Sequence, residues 1–215
     1  DFCGHATIAI LYDLLETNPA YMHETEVTII TQKGKLLVEN RIEQEGAVFI
    51  SAPLPGFSTR TVERGALAAA LHISPEAISQ TLPVSIVNAG LETLIVPFRS
   101  LQAVLALDPP LEELKQYCQE TAVDIITIFT GDVADPANRY RSRVFAPTFG
   151  YLEDPATGSG NAALGYYLLQ QQQWDGSFIS LEQNGSRSNP NIVKLSARPR
   201  GENTWQVIFG GSAIT

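Results

Sequence analysis

The 215-residue sequence has little with which to build a metal centre or a disulfide scaffold. It holds two cysteines, Cys3 and Cys118, and three histidines, His5, His23 and His72, spread far apart. Two cysteines do not make a disulfide framework and fit a reducing compartment, so a cytoplasmic location is expected. No Cys/His group has ligand spacing, so no metal site is expected. Positive charge is scarce. Fourteen Lys and Arg against 23 Asp and Glu leave a net charge of −9. That argues against a broad nucleic-acid-binding surface, and an anionic ligand would need a local positive field. No apolar run approaches the roughly 18–20 residues of a membrane span, so no membrane partner is expected. Nucleotide fingerprints are missing too. Gly158-x-Gly160 lacks the third glycine and the strand context of a dinucleotide loop, no Walker pattern occurs, and no cofactor is expected.

What remains is ordinary for a globular chain, with 44% hydrophobic and 17% charged residues. Apolar spacing predicts a helix over 4–17, stopped near Asn18-Pro19. A hairpin follows, with strands over 27–31 and 36–39 about Lys33-Gly34, and a further strand over 45–51. The proline-rich stretch Ala52-Pro53-Leu54-Pro55-Gly56 marks a candidate domain boundary. Beyond it, helices are expected over 61–71, 101–107, 111–120 and 158–171, with Ser74 and Ser100 as N-caps and Cys118 as buried packing. Strands are expected over 84–88, 93–97, 123–130, 138–146, 178–182, 192–197 and 205–209, that over 138–146 because its residues alternate between polar and apolar. Helices and strands interleave, but hairpins are frequent. This argues for α+β with mixed or antiparallel sheets, not a doubly wound parallel sheet.

Chemistry concentrates in Glu153-Asp154-Pro155-Ala156-Thr157-Gly158-Ser159-Gly160-Asn161, where an acidic pair and a small-residue turn run into an apolar helix. That order places a carboxylate, hydroxyls and unpaired backbone N–H groups at one helix N-terminus, where the helix dipole favours an anion. The local alternative is that Asp154 is only an N-cap. A second copy of the arrangement opens the chain. With Gly4 set on Gly158, His5 falls on Ser159, Ala9 on Ala163, Tyr12 on Tyr166, and Leu14-Leu15 on Leu168-Leu169. Two such helix starts suggest related halves facing each other across a cleft. His5 and Asp154 could then serve as acid–base groups on opposing faces, beside a substrate carboxylate, for cofactor-independent proton transfer at carbon.

Cys3-Gly4-His5-Ala6-Thr7 and Glu153-Asp154-Pro155-Ala156-Thr157-Gly158-Ser159 resemble the two signature motifs of the PhzF-like (phenazine biosynthesis) family, which shares the diaminopimelate epimerase fold. Ser142-Arg143-Val144-Phe145-Ala146-Pro147 resembles the segment leading into the second motif. The resemblance implies two pseudo-symmetric α+β domains of diaminopimelate epimerase-like type, each a mixed or antiparallel sheet around a central helix. Residues 1–55 would be the C-terminal part of an incomplete first domain and 56–209 the second. Residues 210–215 would begin a strand returning to the first. Both ends read as cut. The resemblance further implies a homodimeric isomerase that shifts a proton within a dihydro-hydroxyanthranilate-type substrate, with catalytic roles for His5, Asp154 and Ser159. Substrate-binding positions are Cys3, Gly4, Thr157, Gly158 and Gly160. The family's proton-shuttling glutamate would lie upstream of the first motif, outside this chain, which would leave these residues alone inactive. Two-thiol epimerisation is disfavoured, because Cys3 has no counterpart near Asp154. Gly160-Asn161 and the late segment Gln183-Asn184-Gly185-Ser186-Arg187-Ser188-Asn189-Pro190 depart from the family pattern and leave the substrate open. Two other readings stay open: a non-catalytic small-molecule-binding or interaction protein on the same scaffold, and a Cys3 nucleophile beside His5.

Overall fold

In a computed structural model, residues 4–31, 34–201 and 204–213 are described. The elements are, in order, α1 (Gly4–Thr17), β1 (Glu26–Thr31), β2 (Gly34–Arg41), α2 (Ile42–Glu45), β3 (Ala47–Ser51), β4 (Gly56–Phe57), α3 (Arg64–Ala70), β5 (Ser85–Asn88), β6 (Glu92–Pro97), α4 (Leu101–Leu105), α5 (Leu111–Thr121), β7 (Ile125–Thr130), β8 (Tyr140–Phe145), β9 (Glu153–Asp154), α6 (Gly158–Gln170), β10 (Ile179–Gln183), β11 (Asn191–Gly201) and β12 (Thr204–Gly211). The strands form one mixed sheet in the order β1-β2-β3-β12-β11-β10-β8-β7-β6-β5-β4, with β9 on β8. Among the described strands only β6–β7 and β8–β10 pair in parallel. This is the α+β architecture that the frequent hairpins imply.

Two helices matter for the site. Helix α1 buries Ile8, Leu11, Tyr12 and Leu15, the i, i+3, i+4, i+7 stripe of a half-exposed helix, while His5, Ala9, Ile10 and Asp13 face outward. Helix α6 is buried on every side over residues 160–168. It packs against β5, β6 and β7 from one part of the sheet and against β11 and β12 from another, so the sheet curls around it. Its small residues permit this enclosure. A Cβ on Gly165 would sit 3.2 Å from Val207 and 3.3 Å from Leu195. One core joins α1, α6 and the inner faces of β3, β10, β11 and β12. A second lies across the sheet, where α3, α4 and α5 cover Leu94, Val96, Ile126, Ile128 and Phe145. Cys118 is fully buried in this second core.

Strand β12 pairs with β11 on one side and, through residues 208–211, with β3 on the other. It therefore carries Phe209 to the place where α1 and α6 begin.

Two local expectations are corrected. Strand β8 is buried at all six positions instead of alternating between core and water. Its arginines turn into carboxylate and carbonyl partners that are distant in sequence. Ser74 does hold the N-cap position with Pro75 next, but of a single 3₁₀ turn (Pro75–Ala77), and its hydroxyl bonds the Glu76 carboxylate instead of a backbone N–H.

Candidate active site at two helix N-termini

The two glycine turns meet. A Cβ built on Gly4 would lie 4.0 Å from Gly158 Cα and 3.3 Å from the Phe209 ring. One built on Gly158 would overlap that ring, at 2.7 Å from Cδ2 and 2.9 Å from Cζ. Phe209 thus lies against both helix starts, and the absence of a side chain at Gly158 is a steric requirement.

Asp154 does not cap α6. The N-cap position is Thr157, in extended conformation, and its side chain makes no capping bond, nor does that of any other described residue. By helix geometry the N–H groups of Gly158, Ser159 and Gly160 have no intrahelical acceptor, which leaves a positively polarised end. Asp154 sits on β9, three residues before the N-cap. Its Oδ2 accepts the Thr157 hydroxyl at 2.7 Å, and its Oδ1 lies 3.5 Å from Ala156 N.

Beneath this turn is a buried polar network that sequence reasoning missed. The Gln183 carboxamide, fully buried, accepts from Thr157 N at 2.9 Å and from Asn161 Nδ2 at 2.6 Å through Oε1. Through Nε2 it donates to Asp154 O at 2.7 Å and to Thr157 Oγ1 at 3.2 Å. Asn161 also donates to Thr157 O at 2.8 Å and accepts the Ser142 hydroxyl at 3.0 Å. Every hydrogen-bonding capacity of Gln183 is used, which makes such a network rigid in a low-dielectric interior.

The neighbouring acids are neutralised. Glu153 receives Arg143 through two nitrogens, at 3.0 and 2.7 Å, and the same guanidinium donates to Val104 O and Leu107 O. Glu182 and Arg141 form an ion pair at 2.9 Å with no exposure of either side chain. Burial alone would raise the Glu182 pKa. The N–H groups of Ala134 and Asp135, the Asn138 amide and Arg141 together outweigh it and hold the carboxyl below the usual range. Asp154 differs from both. Among the described residues it has no cationic partner, only the neutral donors Thr157 and Ala156.

The structure therefore brings Gly4, Asp154, Thr157, Gly158 and Gly160 to one place. Thr157 and Gly160 are buried there, Ser159 is half-buried at the start of α6, and His5 is exposed next to Gly4. Cys3 lies outside the described residues. Among the described residues, no group of three or more His, Cys, Asp or Glu is placed to hold a metal ion. A polar hollow of about 90 Å³ lined by Met22, His23, Glu24, Thr25, Asn40, Glu43 and Gln44 lies away from this site.

Comparison with known proteins identifies the scaffold. The model of the phenazine biosynthesis-like protein family (PhzC-PhzF) matches residues 1–215. The uncharacterized isomerase YfhB of Bacillus subtilis (strain 168) is 32% identical over 217 residues, covering 100% of this chain and 73% of its own. A trans-2,3-dihydro-3-hydroxyanthranilate isomerase of Pseudomonas fluorescens is 27% identical over 218 residues, covering 100% of this chain and 72% of its own. Among solved structures, a PhzF-family phenazine biosynthesis protein of Bacillus anthracis superposes with a TM-score of 0.88 at 22% identity, over 100% of this chain and 74% of that one. Motifs, fold and relatives agree, and the chain belongs to the PhzC-PhzF phenazine biosynthesis-like family.

Proposed function

We propose that this protein is a cofactor-independent isomerase that moves a proton on a small carboxylate held between the starts of α1 and α6. The observation that carries the reading is the abutment of Gly4 and Gly158 beside an α6 terminus that is uncapped, and a carboxylate that has no cationic partner, among the described residues. The substrate carboxylate would take the N–H groups of Gly158, Ser159 and Gly160, with Gly4 and Thr157 lining the opposite and near walls. Asp154 and His5 would give and take protons, and the Ser159 hydroxyl would hydrogen-bond the substrate. Glu153 and Glu182 are both bound by arginines, so neither is available to carry a proton. The substrate named for the Pseudomonas fluorescens relative, trans-2,3-dihydro-3-hydroxyanthranilate, is the first compound to test.

The test is turnover in D2O, followed by proton NMR of the substrate ring, for the wild type and Asp154→Asn. General acid–base groups contribute about 10²–10⁴-fold, so the variant should lose at least about 10²-fold in kcat while melting like the wild type. Equal turnover by the two proteins would refute the assignment of Asp154. Should neither act on this compound, a thermal-shift screen of small carboxylates finds the substrate class. A non-catalytic binding role would show there as ligand stabilisation without any chemical change in the ligand.

A further inference from the structure

We infer that Gln183 is a positioning residue that orients the Thr157 hydroxyl, and through it presents Asp154 to the substrate. The inference rests on the proposed role of Asp154. Its geometric part stands without that role.

The orientation of the Gln183 amide is set by two groups that cannot change roles. Thr157 N–H can only donate, so the atom 2.9 Å from it must be the oxygen. The Asp154 carbonyl can only accept, so the atom 2.7 Å from it must be the nitrogen. The second hydrogen of Nε2 then points to Thr157 Oγ1 at 3.2 Å. A hydroxyl carries one proton. With a lone pair of Oγ1 engaged by Gln183, that proton goes to the remaining neighbour, Asp154 Oδ2 at 2.7 Å. Asn161 seals the arrangement from the other side, because its amide nitrogen donates to Gln183 Oε1 and to the Thr157 carbonyl. The chain of bonds Gln183→Thr157→Asp154 therefore has a direction. It ties Oδ2 to the protein and leaves Oδ1, with only the 3.5 Å approach of Ala156 N among the described residues, as the edge available to a ligand.

Gln183→Glu tests this with nearly unchanged shape. Ionised, the introduced carboxylate can still accept from Thr157 N and Asn161 but cannot donate; protonated, its single O–H is taken by the Asp154 carbonyl, so in either form Thr157 Oγ1 loses the donor that Gln183 supplied. The Thr157 proton would turn toward the introduced group, and Oδ2 of Asp154 would lose its donor. Thr157→Val removes the same bond from the other end. Neutron diffraction from D2O-exchanged crystals of the wild type should show the Thr157 deuteron on the Asp154 side and both Gln183 deuterons on Nε2. A deuteron on the Gln183 side would overturn the proposal whatever the enzyme's substrate. With a turned-over substrate in hand, each single variant should lower kcat about 10²-fold with KM little changed, the scale of loss when a reacting group is misplaced. The double variant should be no slower than the slower single one, because both changes break one bond. If the losses multiply instead, Gln183 acts apart from Thr157 and the proposal fails. If Gln183→Glu does not fold, the neutron map and Thr157→Val still decide. Absence of turnover in every form, with the deuteron where expected, would refute the reading of Asp154 and leave the network assignment standing.

Discussion

Gly158→Ala is the sharpest perturbation of the junction between the two helices. The added methyl would lie 2.7–2.9 Å from Cδ2 and Cζ of Phe209, inside the distance at which real side chains tolerate contact. Phe209 is 3% exposed and belongs to the core that joins α1 to α6, so it has little room to withdraw. Overpacking of this kind costs about 1–3 kcal/mol. The better helix propensity of Ala offsets less than about 1 kcal/mol, because position 158 is the first of the helix and not its interior. A net loss of about 1–2 kcal/mol corresponds to a fall in Tm of about 2–8 °C for a chain of this size.

Gly4→Ala is the internal control. Its methyl would meet the same ring at 3.3 Å, a contact that a shift of a few tenths of an ångström relieves, so its stability should stay near that of the wild type. Phe209→Ala alone should cost about 3–5 kcal/mol. In Gly158→Ala/Phe209→Ala the new methyl enters the space the ring has left. The double variant should then be no less stable than Phe209→Ala, a coupling of about 1–2 kcal/mol between residues in contact. Urea unfolding of the four proteins, with m-values compared, measures the cycle. Strict additivity, or a Gly158→Ala protein as stable as the wild type, would refute the claim that Gly158 is glycine because of Phe209.

Two further outcomes follow from the buried charges and the buried thiol. Glu182 is held below the usual carboxylate range in the folded protein, so its contribution to stability is present above the unfolded value of about 4.3 and is lost as pH falls through the lower folded value. Glu182→Gln, which leaves Arg141 buried without its carboxylate, should cost about 3–5 kcal/mol at neutral pH. The gap to the wild type should narrow as unfolding is measured at progressively lower pH, and a gap independent of pH would contradict the assignment. The Cys118 thiol, pushed up to about 12 by burial and then by Asp124, should resist iodoacetamide in the native protein at pH 8 and react fully once unfolded, as read by mass spectrometry of its peptide; equal native and unfolded labelling would refute its burial.

How far the sequence discloses the molecule depends on the range of the interactions involved. The span of α1 is legible because the 3.6-residue spacing of Ile8, Leu11, Tyr12 and Leu15 and the Asn18-Pro19 stop are local facts. The β1–β2 and β5–β6 pairs are legible for the same reason, since each joins two apolar runs that neighbour each other in sequence. Strand β8 is not. The polar positions of Tyr-Arg-Ser-Arg-Val-Phe suggest a wet face, yet Arg141 and Arg143 are buried because Glu182 and Glu153 come back to them from β10 and β9. The site divides in the same way. Gly4 and Gly158 announce themselves by likeness of motif, with no knowledge of the chain path. Gln183 lies 26 residues from the turn it braces, and Phe209 is visible only as one apolar residue in a strand. The late segment beginning at Gln183 is the one signal of this brace in the sequence, and by itself it reads as a departure from the family pattern.

The two ends of α6 explain why chemistry would gather at one of them. A helix buried on all sides must satisfy its terminal carbonyls and N–H groups within the protein or leave them to a ligand. At the C-terminal end the chain turns back on itself, and the N–H groups of Gln171, Gln172 and Gln173 bond Tyr167, Leu169 and Leu168. At the N-terminal end the residue in the capping position turns its hydroxyl to Asp154 instead, and among the described residues no side chain takes the first N–H groups. Thr157 is of a residue type suited to capping, so its engagement elsewhere is a choice of partner and not a lack of chemistry. The same hydrogen bond that fixes Asp154 thus withholds the cap. Carboxylate placement and anion-binding capacity are two consequences of one side-chain orientation, which Gln183 sets from below.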